Sequence, residues 1–149
     1  ANNPAPASVA GNAVLEIAAR YVGVPYVSGG SSPDGFDCSG FVWWVLKLHF
    51  KYPISVNERG ASDMARSAKP RISRSDLKPG DIMFFGPDGR ASPVGSIYHA
   101  AIYMGRGWFI HSTGSSDGVT IASLNASTYW RTYFAWGRHV LTKAELTLQ

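Results

Sequence analysis

The chain carries its only cysteine in the stretch Gly35-Phe36-Asp37-Cys38-Ser39-Gly40-Phe41, where a glycine-rich segment meets an apolar run. Asp37 is a suitable N-cap, and residues 38–48 are apolar on nearly every face, which predicts a buried helix beginning at the cysteine. A sulfur there lies near unpaired backbone N–H groups and the positive end of the helix dipole, which favours the thiolate. Cys38 is therefore a candidate nucleophile, although by position alone it could equally be a small buried apolar residue.

Outward from this helix, helical segments precede strand-like segments along the chain. Periodicity predicts an amphipathic helix over 13–22 and a short polar helix over 60–68, with loops at 23–35 and 52–57. After a turn at 75–80, strands are predicted at 81–85, 97–104, 108–112, 119–123 and 136–141. This order predicts an α+β fold with an antiparallel sheet. We take residues 1–12 as a tail or linker and residues 13–149 as one domain.

The composition indicates one globular domain with excess positive charge. The 149 residues are 45% hydrophobic and only 16% charged, and the formal net charge is +4. No apolar run approaches the roughly 18 residues of a membrane span, so we expect no transmembrane segment. The charge suits an anionic surface such as nucleic acid, acidic lipid or a cell-wall polymer. Because the basic residues form no run and no nucleic-acid motif, we expect no nucleic-acid partner.

Two histidines downstream of the cysteine are predicted to share one face of a hairpin. If Gly105-Arg106-Gly107 is a three-residue loop between the strands at 97–104 and 108–112, Ala101 lies opposite His111. His99 is two residues from Ala101, so it is the diagonal neighbour of His111, at roughly 7–8 Å along the backbone. A two-residue loop would place the two side chains on opposite faces.

These residues suggest a nucleophilic site with divided roles. Cys38 is the nucleophile, His99 takes and returns its proton, and His111 orients His99. The Cys38 backbone N–H is a candidate oxyanion donor. Alternatively, His111 is a core histidine, or one Cys and two His hold a catalytic zinc, although no Cys-x-x-Cys or His-Glu-x-x-His spacing is present. We interpret His49 and His139, which lack such a context, as surface or packing residues.

Several motifs, in order, resemble the NlpC family of papain-like cysteine peptidases, which act on bacterial cell-wall peptides. The resemblance runs from about residue 13 to residue 141 and covers nearly the whole chain. Its motifs are Pro25-Tyr26 with Gly29-Gly30, Asp34-Gly35-Phe36-Asp37-Cys38-Ser39-Gly40-Phe41-Val42, Ser73-Arg74-Ser75-Asp76-Leu77-Lys78-Pro79-Gly80-Asp81, the segment containing His99, Phe109-Ile110-His111, Tyr129-Trp130-Arg131 and Arg138-His139-Val140-Leu141.

The resemblance implies a papain-like fold, in which Cys38 heads a central helix packed on an antiparallel sheet. It also implies hydrolysis of an amide bond in peptidoglycan stem peptides, typically between D-isoglutamate and a diamino acid. Tyr26 would line the oxyanion site or anchor the glycine-rich loop, and Asp37 and Ser39 would shape the pocket beside the nucleophile. No metal or organic cofactor is implied. We expect a monomer that is secreted, periplasmic or cell-wall-associated, and the Pro-rich opening at 1–7 is consistent with export.

The sequence departs from the family pattern at two places. Ser28 stands where the family commonly has a large aromatic residue, so one wall of the groove is expected to be more open. The stretch 86–97 is longer than the usual link and is expected to form a lid or rim. Two other functions use the same residues or scaffold: a binding module that holds wall peptides without cutting them, and an acyltransferase with the same triad.

Overall fold

The computed structural model describes residues 13–48, 59–68, 70–114 and 117–140. Within these ranges the α-helices are α1 (Ala13–Ala19), α2 (Cys38–Trp43), α3 (Ala61–Arg66) and α4 (Thr128–Tyr133). The strands are β1 (Ser31–Ser32), β2 (Gly35–Phe36), β3 (Ile82–Phe85), β4 (His99–Gly105), β5 (Trp108–Thr113), β6 (Gly118–Ser123) and β7 (Phe134–Arg138). No helix in these ranges is long and apolar enough to cross a membrane.

The main sheet has five antiparallel strands in the order β6-β5-β4-β3-β7, and α2 packs against β4 and β5. Alternate residues of the central strands face two different apolar layers, as the period of a strand requires. Phe84 and Ala100 belong to the layer that contains α2, whereas Phe85 and Ala101 belong to the layer on the other face. The predicted α+β fold, with the cysteine at the start of the central helix, is confirmed.

The central helix begins where the sequence predicts and changes its winding halfway. The Asp37 carboxylate accepts a hydrogen bond from the Gly40 N–H at 2.6 Å, which makes Asp37 the N-cap. The α-helical part ends at Trp43, and Trp44–Leu48 form a π-helical turn. This turn carries the Trp44 ring into contact with Phe36, with ring centroids 6.1 Å apart.

The β4–β5 hairpin differs from the predicted loop but keeps the predicted register. Gly105 is the last residue of β4, so the loop contains only Arg106 and Gly107. A β-bulge between Tyr103 and Gly105 supplies the extra residue, and Ile102 pairs with Ile110. Continued by one residue, this register places Ala101 opposite His111, which is the pairing that the predicted three-residue loop gives.

Other boundaries shift by a few residues, and one helix is new. The first helix ends at Ala19 rather than 22, the polar helix spans Ala61–Arg66, and the last strand begins at Phe134. Helix α4 was not predicted, because Thr128–Tyr133 is rich in aromatic and β-branched residues that favour strands. The predicted tail at 1–12 and loop at 52–57 lie outside the described residues.

The long segment at 86–97 forms two 3₁₀ turns, Gly89–Ala91 and Val94–Ser96. The first turn packs against β7 and α4, and the second packs against α3. Gly86, Ser92 and Ile97 are buried, so the segment is fixed to the body of the domain along its length. The segment is therefore packed against the domain beside α4 and α3, and it does not stand free as a lid.

Candidate active site

Cys38 is the first residue of α2 and its side chain is partly accessible. Its thiol donates a hydrogen bond to the Tyr98 carbonyl, with an Sγ···O distance of 3.6 Å. The backbone N–H of Ala100 also points towards the sulfur. The sulfur therefore lies against the backbone of Tyr98 and Ala100, the two residues that flank His99. No hydrogen bond joins Sγ to His99 in the described residues, so the thiol and the imidazole are neighbours that are not engaged with each other in this structure.

Burial raises the pKa of the Cys38 thiol, and the nearby Asp37 carboxylate raises it further. The backbone N–H groups of Ala100, Ser39 and Cys38 oppose this change but do not outweigh it. The N–H groups at the start of α2 therefore favour the thiolate as expected, but burial outweighs them and the net pKa is raised. This burial depends on tertiary packing, which the cysteine's position in the sequence does not reveal.

His99 and His111 form a directly hydrogen-bonded pair, with 2.8 Å between His99 Nε2 and His111 Nδ1. The two side chains share one face of the β4–β5 hairpin, as the predicted register requires, and their exposed fractions are 7% and 2%. One of the two nitrogens must donate and the other accept. If His99 Nδ1 is to accept a proton, its Nε2–H donates to His111 Nδ1, and His111 then carries its proton on Nε2.

Aromatic side chains enclose this histidine pair. The Trp130 ring stacks on His99 with 5.0 Å between centroids and an interplanar angle of 28°, and it meets His111 edge-on at 5.1 Å. Phe85 packs against His99 and Phe109 against His111. Burial lowers the pKa of His99 well below its usual value, and the neighbouring His111 lowers it further. Burial lowers the pKa of His111 to about 4, against an opposing effect of Asp117.

The geometry of the pair does not suit a metal centre that uses both histidines. A metal ligand must present a lone pair to the ion, whereas His99 Nε2 and His111 Nδ1 face each other and share a proton. Across the described ranges, no group of three His, Cys, Asp or Glu side chains could hold a metal ion. The arrangement instead suits proton transfer, in which one imidazole is oriented by the other.

Arg59 fixes the turn that precedes the cysteine. Its guanidinium lies 3.1 Å from the Asp37 carboxylate, donates to the Ser39 hydroxyl at 2.8 Å and donates to the Gly30 carbonyl at 2.9 Å. Asp37 and Ser39 are thus brought together beside the nucleophile, although both are engaged in this network. The close approach of Gly40 to the Gly30 carbonyl also excludes a side chain at position 40.

Tyr26 precedes the glycine-rich loop and is 37% exposed. Its backbone pairs with Phe36, next to the N-cap. Partial burial raises the pKa of its phenol, and the charges of Cys38 and Asp37 raise it further, which indicates that the phenol is close to both. Tyr26 therefore both anchors the glycine-rich loop and presents its phenol near the sulfur, which keeps both expected roles open.

The remaining expectations concern residues away from this cluster. His139 is 43% exposed and bonds the buried Asp81 carboxylate at 2.7 Å, so it is a half-exposed paired residue outside the site. His49 lies outside the described residues, and Ser28 is exposed. Sequence reasoning gave no role in the site to Arg59, and none to Trp130 beyond its place in the Tyr129-Trp130-Arg131 motif. Each residue reaches the site only through the fold.

The sequence around these residues matches the model of a known protein family over most of the chain. The model of the NlpC/P60 family matches residues 23–138, which include Cys38, His99 and His111. The chain belongs to the NlpC/P60 family. This confirms the resemblance that the motifs indicated.

Two curated relatives support this family assignment. Murein DD-endopeptidase MepH of Escherichia coli (strain K12) is 41% identical over 130 residues, covering 85% of this chain and 45% of that protein. Gamma-DL-glutamyl hydrolase of Bacillus subtilis (strain 168) is 39% identical over 126 residues, covering 83% of this chain and 27% of that protein. The chain thus spans less than half the length of these two curated relatives.

Solved NlpC/P60 structures confirm the fold. A family protein from Bacillus cereus superposes with a TM-score of 0.77 at 30% identity, covering 94% of this chain and 42% of that one. The NlpC/P60 domain of the peptidoglycan hydrolase SagA superposes with a TM-score of 0.71 at 30% identity, covering 87% of this chain and 97% of that domain.

Proposed function

We propose that this chain is a cysteine endopeptidase that hydrolyses the amide bond between D-isoglutamate and the diamino acid of peptidoglycan stem peptides. The observation that carries the proposal is the position of the Cys38 sulfur, which lies against the Tyr98 carbonyl and the Ala100 N–H, the backbone groups that flank His99. His99 is in turn held by His111 at 2.8 Å. A partly accessible thiol and an oriented imidazole are the two parts that nucleophilic catalysis by cysteine needs.

The first chemical step starts from a neutral thiol and a neutral imidazole. Burial raises the pKa of Cys38 and lowers that of His99, and both changes favour the neutral forms over a thiolate–imidazolium pair before substrate binds. The thiol turns from the Tyr98 carbonyl to His99 Nδ1, which takes its proton as Sγ bonds to the substrate carbonyl carbon. His111 keeps His99 in the required tautomer by accepting the Nε2–H.

The rest of the cycle returns the proton and the thiol. The negative oxygen of the tetrahedral intermediate accepts from the Cys38 backbone N–H, with Tyr26 as a second donor. The C–N bond then breaks, the leaving amine takes the proton from His99, and a thioester remains on Cys38. Water attacks that thioester while His99 removes a water proton. The C–S bond breaks, and the proton returns to the sulfur.

The names of relatives support a peptidoglycan substrate but point to different bonds. MepH is named a murein DD-endopeptidase, whereas a Bacillus subtilis relative that is 34% identical over 116 residues is named a gamma-D-glutamyl-L-lysine dipeptidyl-peptidase. Two side chains next to Cys38, Asp37 and Ser39, are proposed to contact the stem peptide. We place the activity outside the cytoplasm, at the cell wall, in a single monomeric domain.

Mass spectrometry of a defined cross-linked muropeptide tests this assignment. The substrate should contain one D-isoglutamyl–diamino acid bond per stem and one D,D cross-link, so that the two cleavages give fragments of different mass. Fragments cut after D-isoglutamate are expected. Cleavage of the cross-link alone would contradict the proposed bond. Unchanged peptide would indicate a binding module, and an acyl group transferred to an added amine in place of water would indicate an acyltransferase.

A further inference from the structure

An open cavity lies at the end of the β4–β5 hairpin that is distant from the histidine pair. Its volume is about 600 Å³, and the residues that line it include three arginines, Arg74, Arg90 and Arg106. Seven residues of β4 separate the start of the strand at His99 from its end at Gly105. At roughly 3.3 Å per residue, the cavity is on the order of 20 Å from the proposed catalytic groups. It is therefore separate from the site formed by Cys38, His99 and His111.

The wall of this cavity combines positive charge with hydrogen-bond donors and has no acidic side chain among the described residues. Two serine hydroxyls, Ser73 and Ser75, complete the side formed by Arg74. The Ser73 hydroxyl donates to the Asp76 carboxylate at 3.1 Å and lies 3.3 Å from the Ser75 hydroxyl, and Asp76 is not part of the wall. The guanidinium groups are therefore the donors that would recognise phosphate oxygens.

The hairpin tip that carries Arg106 is held rigidly in an uncommon backbone conformation. Arg106 has a φ of +56°, in the left-handed region that favours glycine. The Gly107 N–H donates to the Tyr103 hydroxyl at 2.9 Å, and the Asn125 side chain donates to the Arg106 carbonyl at 3.3 Å. Arg131 holds the Asn125 carbonyl at 2.8 Å. The backbone that carries Arg106 is therefore a preorganised support.

A smaller cavity of about 200 Å³ continues this basic surface, since Ser73 and Arg90 line both cavities. It adds Arg71, whose guanidinium lies 3.6 Å from the centre of the Trp136 ring. The two cavities therefore adjoin, and together they are called here the arginine groove, which four arginines line: Arg71, Arg74, Arg90 and Arg106. Several positive charges on one continuous surface suit a ligand with repeated negative groups better than a single small anion.

We propose that the arginine groove binds a phosphodiester-linked polymer of the bacterial cell envelope, such as polyglycerol phosphate. Each guanidinium would hold a phosphate of the polymer, and the groove would retain the protein on the wall while the distant cleft acts on stem peptides. The choice of an envelope polymer rests on the proposed function. The existence of an anion-binding groove rests on the arginines alone.

The direct test measures binding of polyglycerol phosphate to isotope-labelled protein by NMR at about 0.15 M salt, where diffuse attraction is screened within roughly 8 Å. The protein carries Cys38→Ala, so the result does not depend on hydrolysis, and failure of the proposed activity would remain a separate result. We expect shifts in the amides and guanidinium groups around Ser73–Ser75 and Arg106. Absence of binding, or shifts elsewhere, would overturn the proposal.

Two double variants test whether binding depends on the arginine groove itself or only on the net charge of the protein. Arg74→Gln/Arg90→Gln and Arg20→Gln/Arg66→Gln each remove two positive charges, so the formal charge falls from +4 to +2 in both. Arg20 is exposed on the surface, and Arg66 forms an exposed pair with Asp63. The groove variant should bind about tenfold more weakly, and the control less than about twofold.

Equal losses in the two variants would show that net charge alone is responsible and would overturn the groove. A DNA oligonucleotide with the same number of phosphates provides the second comparison. If the oligonucleotide binds as tightly as polyglycerol phosphate, the assignment to an envelope polymer fails. Neither double variant should alter hydrolysis of a short soluble stem peptide, because both lie outside the cleft.

Discussion

For single residues, the protonation of Cys38 is decided by a competition between burial and backbone amides. Three N–H groups stabilise the thiolate, yet desolvation and Asp37 together keep the pKa above its usual value. His99 is enclosed by aromatic rings and has a lowered pKa. A neutral pair of this kind resists charge separation until substrate enters, so the base acts during the reaction rather than beforehand.

Alkylation of Cys38 with iodoacetamide reports this resting state at one position, because the chain has no other cysteine. The rate constant should rise steadily from pH 6 to pH 9 without a plateau, since only the thiolate reacts and its pKa is raised. The rate is measured by intact-mass spectrometry, with free cysteine as the reference. A plateau in rate between pH 5 and pH 8 would instead reveal a preformed thiolate–imidazolium pair.

The variants His99→Ala and His111→Ala should lower kcat by different amounts. His99→Ala removes the group that takes the proton and should lower kcat by about 10²–10⁴-fold. His111→Ala leaves that group in place and removes only the partner that accepts at 2.8 Å, so a smaller loss is expected. Steady-state kinetics on a soluble stem peptide measure both. Equal losses, or a larger loss for His111→Ala, would reject this division of roles.

Among elements, the turn before α2 depends on one arginine from a distant segment. Arg59 connects Asp37, Ser39 and Gly30 through hydrogen bonds of 2.8–3.2 Å. Arg59→Ala should reduce the free energy of unfolding by roughly 1–3 kcal/mol, since it leaves charged and polar partners unsatisfied. Arg66→Ala is the matched control, because its pair with Asp63 is exposed and should contribute less than about 1 kcal/mol.

Urea unfolding of both variants measures the difference. Similar losses for Arg59→Ala and Arg66→Ala would show that the Arg59 network does not stabilise the turn. A drop in activity with Arg59→Ala that exceeds the loss of folded protein would indicate, in addition, that the network positions Cys38.

Local chemistry explains which elements could be predicted from the sequence. The start of α2 follows from the N-cap Asp37, and the shared face of the two histidines follows from the glycines around Arg106. Helix α4 could not be predicted, because Thr128–Tyr133 favours a strand locally and becomes helical by capping from Ser127 and by packing. The roles of Arg59 and Trp130 arise from contacts between residues far apart in the chain. No local pattern encodes such contacts.

The whole molecule should lose stability in mild acid because of its buried histidines. Unfolded imidazoles titrate near pH 6.5, whereas burial lowers the pKa of His111 to about 4. Below pH 6.5 the unfolded chain therefore binds more protons than the folded one, and stability falls as pH decreases towards 4. Between pH 6.5 and pH 4.5, His111 alone should lower the free energy of unfolding by roughly 2–3 kcal/mol. Above pH 6.5 this loss is absent, because the imidazole is neutral in both states.

Urea unfolding of the parent and of His111→Gln at pH 7.5, 6.0 and 5.0 checks this. The variant should lose less stability on acidification than the parent does. Asp81 acts in the opposite direction, because burial raises its pKa and protonation then favours the folded state, but it is common to both proteins. Identical pH dependence in the two proteins would contradict a buried, neutral His111.

Activity of Cys38→Ala on a defined muropeptide is the most direct test of the proposed chemistry. The variant removes the sulfur at the start of α2 and leaves the N-cap Asp37 and the His99–His111 pair in place. Circular dichroism should show an unchanged fold, while fragment release measured by mass spectrometry should fall to background. Release of the same fragments at the parent's rate would show that the thiol is not the nucleophile.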